Sequence, residues 1–227
     1  MPLDPNTAGL LQMIEAAGLP AVADGTVEQA RAGLHTLMVD LRDPASLTPV
    51  GSAVDTTVAG SIPVRVYRPG ADDTDSTGTA PTIVYLHGGG FVIGDLDTHD
   101  GICRLLCRDI NAVVVSVDYR LAPEHHFPAA VDDSYAALRW VIEHLDEYGA
   151  DPTRVVVGGD SAGGNLSAIC AQLAHADGIP LAAQLLIYPA VDMFGEYPSR
   201  TENAEGYFLT LADMYWFGEQ YLGFAET

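Results

Sequence analysis

A serine flanked by glycines stands in residues 155–164, which read Val-Val-Val-Gly-Gly-Asp-Ser-Ala-Gly-Gly. The valines predict a buried strand, and the apolar spacing of residues 165–176 predicts a helix, so Ser161 would lie on a sharp turn between them. Gly159 and Gly163 would let strand and helix pass close together. Such a turn exposes the hydroxyl and aims the first N–H groups of the helix at a bound group. The chemistry this serves is nucleophilic attack by Ser161.

A second glycine run, Gly88-Gly89-Gly90, follows His87 at the end of another apolar segment. Acyl transfer needs N–H donors aimed at the oxyanion that develops, and glycine lets the backbone approach closely enough to supply them. We therefore predict that the N–H groups of Gly88, Gly89 and Ala162 form an oxyanion hole. By itself the glycine run could be a flexible turn, and we favour the hole because of the serine turn downstream.

The elements that must position these two loops alternate between strands and helices. Besides the strand before Ser161, the apolar runs predict strands over 82–87, 112–119 and 182–188, with helices over 98–109 and 130–145. An antiparallel hairpin is predicted over 53–67. This alternation predicts an α/β fold with a mostly parallel, doubly wound sheet, whose ligands bind beyond the carboxyl ends of the strands.

Two amphipathic helices, over residues 7–18 and 26–41, precede the predicted sheet. They could form a lid over the site, or they could merely flank the core, and we favour the lid. Residues 195–227 are aromatic-rich and irregular at first, then helical from residue 211 to residue 222, and no further strand is predicted there.

The sequence contains four motifs: His87-Gly-Gly-Gly-Phe91, Asp118-Tyr-Arg-Leu-Ala-Pro-Glu124, Phe127-Pro-Ala-Ala130 and Gly159-Asp-Ser-Ala-Gly-Gly164. In order and spacing they resemble the bacterial carboxylesterase branch of the hormone-sensitive-lipase family of α/β-hydrolases. The resemblance covers essentially the whole chain. It implies an α/β-hydrolase with a helical cap, divided into residues 1–50 (first cap segment), 51–194 (partial core) and 195–227 (second cap segment).

The resemblance also implies an activity. The family hydrolyses esters of short- to medium-chain acyl groups through an acyl-enzyme, here at Ser161, with no cofactor and no metal. His87 could be a base, but in the family it supports the oxyanion loop, together with Gly90. Asp160 could tune the site, and a role at the helix dipole or in anchoring the loop is our preferred interpretation.

One part of the family pattern is missing from these residues. A serine nucleophile needs a base, and in this fold the order is serine, acid, histidine. The only histidine after Ser161 is His175, fourteen residues along the same predicted helix and so about 21 Å away. We therefore expect a chain that lacks its C-terminal strands and the triad Asp and His, and that is nearly inactive alone. The alternative is a non-catalytic small-molecule-binding protein on the same fold. The reading frame beyond residue 227 would discriminate between the two.

Composition limits the other classes of function. The 227 residues include 31 acidic and 10 basic side chains, and the net charge of −21 argues against nucleic acid and anionic membranes as partners. No signal peptide or membrane-spanning run is evident, and three cysteines without paired spacing indicate a reducing, cytoplasmic location. The expected partner is a small-molecule ester.

Two further patterns carry expectations. His99, Cys103 and Cys107 share one helix face, which could suggest zinc, but with no fourth ligand beside them we interpret the stripe as core.

The predicted strand over 182–188 is apolar and uncharged, and such an unpaired edge is a template for association. We expect the isolated chain to be a homo-oligomer, an aggregate, or paired with its C-terminal segment.

Overall fold

A single mixed sheet organises the protein. The computed structural model describes residues 3–16, 18, 21–70, 79–193 and 195–224. The strands are β1 Ser52–Val58, β2 Ile62–Arg68, β3 Ala80–Leu86, β4 Val113–Val117, β5 Ala150–Asp160 and β6 Ala183–Ile187. They lie in the order β1-β2-β4-β3-β5-β6. The predicted hairpin is β1 and β2, which pair antiparallel, whereas β4, β3, β5 and β6 are mutually parallel.

Helices cover both faces of this sheet, which confirms the prediction of a doubly wound, mostly parallel fold. They are α1 Pro5–Ala16, α2 Val27–His35, α3 Asp100–Ile110, α4 Ala129–Glu143, α5 Leu145–Tyr148, α6 Ala162–Ala176, α7 Pro198–Glu202 and α8 Leu211–Leu222. The short α7 was not predicted. In the described part of the chain, no helix combines the length and the apolar character needed to cross a membrane.

Side chains that alternate along the strands point to opposite faces of the sheet and belong to two separate core layers. In β4, Val113, Val115 and Val117 face a large layer that includes buried side chains of α4 and α6, while Val114 faces a smaller layer. The smaller layer holds Cys103 and Cys107 of α3, both fully buried, as the core interpretation of that stripe expects. Burial of continuous apolar strands on both faces is typical of parallel sheets.

The buried face of α6 agrees only in part with the apolar spacing of residues 165–176, which predicts a face made of Leu166, Ile169, Cys170 and Leu173. Leu166 and Cys170 are buried, but Leu173 is 36% exposed, and Ser167 and Ala174 are buried as well. Ser167 can be buried because its hydroxyl donates a hydrogen bond of 2.7 Å to the carbonyl of Gly163. Hydrophobicity alone therefore identified only part of the buried face.

The N-terminal segment and α8 flank the large core layer differently. Helix α1 buries no side chain, whereas Ala30 of α2 and both Phe217 and Tyr221 of α8 are buried in that layer. The domain boundaries after residues 50 and 194 stay predictions, and residues 225–227 of the second cap segment lie outside the described residues.

The edge strand β6 is open on one side. Within the described ranges it pairs with β5 alone, and its residues are half-buried or exposed. The association expected from this edge stays a prediction.

Candidate active site

The parallel register brings the two predicted loops together. Leu86, the last residue of β3, pairs with Gly159 near the end of β5, so the segment starting at His87 and the turn at Ser161 leave the same edge of the sheet side by side. Glycine at position 163 allows the two segments to lie this close together, since a Cβ there would collide with the backbone carbonyl oxygens of Leu86 and His87. The structure thus places the nucleophile candidate directly beside the glycine run.

Ser161 has a backbone conformation that non-glycine residues rarely adopt. Its φ is 52° and its ψ is −116°, between the end of β5 and the start of α6. Strain of this kind costs about 1–3 kcal/mol and persists only where the surroundings hold it. Here the Ser161 N–H donates to the Ile187 carbonyl (2.9 Å), and the Ser161 carbonyl accepts from Asn165 (3.0 Å) and Ala190 (3.1 Å). The turn is therefore held by hydrogen bonds to α6, to the end of β6 and to the segment after β6.

One predicted oxyanion donor is wrong. The N–H of Gly88 donates to Asp160 Oδ1 at 3.0 Å, so it has an acceptor within the protein and is not available to a substrate. The N–H groups of Gly89, Gly90 and Ala162 donate to no other group in the described ranges. Gly89 and Gly90 have φ values of 118° and 59°, which only glycine adopts readily. The donor set supported by the geometry is therefore Gly89, Gly90 and Ala162.

Asp160 anchors the start of the oxyanion loop, the segment from Gly88 to Gly90. Its Oδ1 also accepts from the Tyr85 hydroxyl at 2.8 Å, and its Oδ2 lies 3.6 Å from Nε2 of His99. Burial alone would raise the pKa of Asp160, yet that pKa lies below its usual value because His99, Tyr85 and the Gly88 N–H together stabilise the carboxylate. Asp160 is therefore an anion held against the loop.

His87 supports the oxyanion loop from the core and is too deeply buried to act as a base for Ser161. Its ring is fully buried, stacks on Tyr119 with centroids 4.3 Å apart, and donates from Nδ1 to the Gly88 carbonyl at 2.8 Å. The Tyr119 hydroxyl donates to the His87 carbonyl at 2.7 Å. Burial, together with the nearby His99, lowers the pKa of His87 to about 4. The imidazole is therefore neutral at pH 7.

The buried His87 should make stability depend on pH. The pKa of His87 in the folded chain is about 4, below the unfolded value, so its stabilising contribution is complete above about pH 6.5 and is lost as pH falls towards 4. The loss should be about 3 kcal/mol. Urea unfolding at pH 7.5 and pH 4.5 should show a smaller pH effect in His87→Gln than in the wild type. His125→Gln, which removes an exposed imidazole, is the control and should keep the wild-type difference. Equal pH effects in wild type and His87→Gln would contradict this assignment.

The described residues supply no hydrogen-bonded base for Ser161. No described side chain forms a hydrogen bond with its hydroxyl, and the other ring contacts of the histidines are to different groups, such as His126 to the Gln220 carbonyl and His144 to the Trp140 carbonyl. His175 lies near the far end of α6, as predicted. The described part of the chain also contains no cluster of His, Cys, Asp and Glu that could hold a metal ion.

Two elements distant in sequence pack near the oxyanion loop, one against Gly90 and the other against the residues that follow the loop, and no sequence pattern predicted either contact. Phe217 of α8 lies against Gly90, where an added Cβ would meet its ring. Arg31 of α2 donates from Nε to the Val92 carbonyl at 2.9 Å and pairs with Glu124 at 2.7 Å. The Arg31 hydrogen bonds lower the pKa of Glu124 to about 2. The available signal was Arg31, a cation on the polar side of an amphipathic helix, but nothing in the sequence identified its partner.

Comparisons with known proteins identify the fold and the family of this chain. A sequence model of the α/β-hydrolase fold matches residues 83–227. The chain is 43% identical to the carboxylic ester hydrolase LipN of Mycobacterium tuberculosis, over 97% of this chain and 59% of LipN. It is 50% identical to the carboxylesterase NlhH of the same species, over 81% of this chain and 56% of NlhH. A hyperthermophilic esterase from the archaeon Pyrobaculum calidifontis superimposes with a TM-score of 0.88 at 43% identity, covering 98% of this chain and 71% of that one. The chain thus spans less than two thirds of the length of the two mycobacterial relatives.

Proposed function

Since the chain belongs to the hormone-sensitive-lipase family of α/β-hydrolases, we propose that it is part of a serine carboxylesterase acting on short- to medium-chain acyl esters. The observation that carries the proposal is the strained Ser161 turn beside three N–H groups that have no acceptor in the described ranges. The names of the relatives, which are carboxylic ester hydrolases and esterases, support the same reaction class.

The proposed reaction begins at Ser161. Its Oγ attacks the acyl carbon of the ester, and the carbonyl oxygen becomes an oxyanion that accepts hydrogen bonds from Gly89, Gly90 and Ala162. The alcohol leaves as the C–O bond breaks and takes a proton, and the acyl group remains on Ser161. Water then attacks the acyl-enzyme, releasing the carboxylic acid and restoring the hydroxyl. Ala162 at the first turn of α6 adds the positive end of the helix dipole to the same oxyanion.

The base that removes the Ser161 proton is proposed to come from outside these 227 residues. Neither His87, which is buried and bonded to the loop, nor His175 at the far end of α6 is suited to the task. Without a triad histidine and acid, residual catalysis from the hole and binding is typically only about 10³–10⁴ over water. We therefore expect ester hydrolysis near background from the 227-residue chain alone.

A p-nitrophenyl ester series from acetate to palmitate, given to the 227-residue chain and to the protein in full length, tests the proposal. The expected result is turnover of the short and medium esters by the full-length protein and near-background release by the 227-residue chain. Robust hydrolysis by the short chain would mean that it holds a base we have not identified. Saturable ester binding by the full-length protein without turnover would favour the non-catalytic binding protein.

A further inference from the structure

The backbone of Gly88 is held by two hydrogen bonds, and the proposed oxyanion donors Gly89 and Gly90 follow it directly in the chain. Its N–H donates to Asp160 Oδ1 at 3.0 Å, and its carbonyl accepts from His87 Nδ1 at 2.8 Å. A Cβ at this position would collide with Asp160 Oδ2, so the carboxylate lies directly against the backbone. Any movement of that carboxylate would therefore be passed to the next two residues, Gly89 and Gly90.

Asp160 is held in turn from two sides. Tyr85 donates to the same Oδ1 that accepts from Gly88, at 2.8 Å, and this oxygen is thus shared by two donors. The second oxygen, Oδ2, faces Nε2 of His99 at 3.6 Å. The side chains of His99 and Asp160 are 12% and 14% exposed, so water competes little for this contact.

His99 is itself oriented by its neighbour. Nδ1 of the ring lies 3.0 Å from the Thr98 hydroxyl, which is nearly buried. The Thr98 hydroxyl has one proton, which either Nδ1 or the Asp95 carbonyl, also at 3.0 Å, can accept. A proton on Nε2 is the arrangement that suits the facing carboxylate, and Nδ1 is then the acceptor for the Thr98 hydroxyl. His99 is also the residue before α3, and its carbonyl accepts from Cys103, so its backbone is fixed by the helix.

We propose that His99 is a positioning residue for the oxyanion hole: it orients the Asp160 carboxylate, which holds the Gly88 N–H and so sets where Gly89 and Gly90 point their donors. The proposal rests on the proposed function for its catalytic meaning. His99 does not touch the substrate in this role. The stripe of His99, Cys103 and Cys107 then has two ends with different tasks, since the cysteines pack in the core while the histidine faces the active-site edge.

Amide hydrogen exchange at Gly88 tests this directly and needs no catalysis. His99→Phe keeps a ring but removes the polar nitrogen 3.6 Å from the carboxylate, and the Gly88 amide should then exchange about tenfold faster, as expected when a buried charged group loses a close polar partner. His99→Gln keeps an N–H donor and should restore exchange to within about threefold of wild type. Amides of β4 serve as the internal reference for global stability. In an Asp160→Asn background, His99→Phe should have no further effect, because the partner is already changed.

Turnover in the full-length protein gives the second readout. His99→Phe should lower kcat about tenfold with KM within about twofold, and His99→Gln should recover it. If His99→Phe does not fold, His99→Ala replaces it in both measurements. Wild-type exchange at Gly88 in a folded His99→Phe or His99→Ala protein, or failure of glutamine to restore it, would overturn the proposal. A full-length protein that hydrolyses no ester would refute the proposed function, while the exchange data would still decide the role of His99.

Discussion

Replacing Ser161 by alanine should lower kcat for p-nitrophenyl butyrate in the full-length protein by about 10⁶-fold, the cost of removing a serine nucleophile. The substitution removes only the attacking oxygen, since the backbone hydrogen bonds that clamp the turn come from the N–H and carbonyl of residue 161. KM should change little, because the oxyanion donors and the rest of the site stay in place. Initial rates over at least six decades of enzyme concentration provide the measurement.

Ser134→Ala is a matched control for the loss of a serine hydroxyl. Ser134 is fully buried, and its hydroxyl donates to the Ala130 carbonyl at 2.6 Å within α4, whereas Ser161 lies between β5 and α6. This variant should keep kcat within a few-fold of wild type, because the hydroxyl it removes bonds to the Ala130 carbonyl and to no residue of the proposed site. A Ser161→Ala protein with more than about one hundredth of wild-type turnover would show that another group attacks the ester.

Gly89→Ala should lower kcat about 10²–10³-fold, the usual loss when one oxyanion donor is misplaced. At a φ of 118° an L side chain is strained, and the added Cβ would collide with the Ile93 carbonyl oxygen, so the loop must shift and carry its N–H groups with it. The effect should appear in kcat with little change in KM, because the hole acts on the transition state.

Gly149→Ala separates this effect from backbone strain in general. Gly149 also has a positive φ, of 63°, but an added Cβ meets nothing within 4 Å, and the residue precedes β5 at the opposite end of the sheet from the site. Both variants should lose stability, by about 1 kcal/mol for Gly149→Ala, but only Gly89→Ala should lose turnover. Equal kcat values for the two variants would show that Gly89 is a turn residue only.

The sheet and the place of the nucleophile were predictable because local patterns determine them. Runs of β-branched residues, such as Val113–Val115, have few alternatives to a buried strand, and alternating helices then make the sheet parallel. Once parallel, the sheet brings the ends of β3 and β5 to one edge, and the glycine run and the Ser161 turn meet there because these two strands are direct neighbours. The order of elements along the chain predicts the shared edge but not the neighbour relation, since β4 lies between β3 and β5 in sequence.

The choice among the glycine N–H groups was not predictable, because it depends on contacts between distant residues. The Gly88 N–H donates to Asp160, which is 72 residues away in sequence, and is therefore not free to bind an oxyanion. No local sequence pattern shows that this carboxylate faces the loop. The contact of Arg31 with the Val92 carbonyl was not predictable for the same reason, since the two residues are 61 positions apart in sequence. His99 was interpreted as the polar end of a core stripe, since spacing identified its helix face but not the carboxylate opposite its ring.

Covalent labelling tests the role of Ser161 most directly. The full-length protein is treated with a fluorophosphonate, digested, and mapped by mass spectrometry, since such probes react with serines activated for nucleophilic attack. The predicted result is a single phosphonylated peptide that contains Ser161 and is absent from the Ser161→Ala variant. An adduct on a different residue, labelling that survives in Ser161→Ala, or no adduct on the wild-type protein would contradict the assignment of Ser161 as the nucleophile.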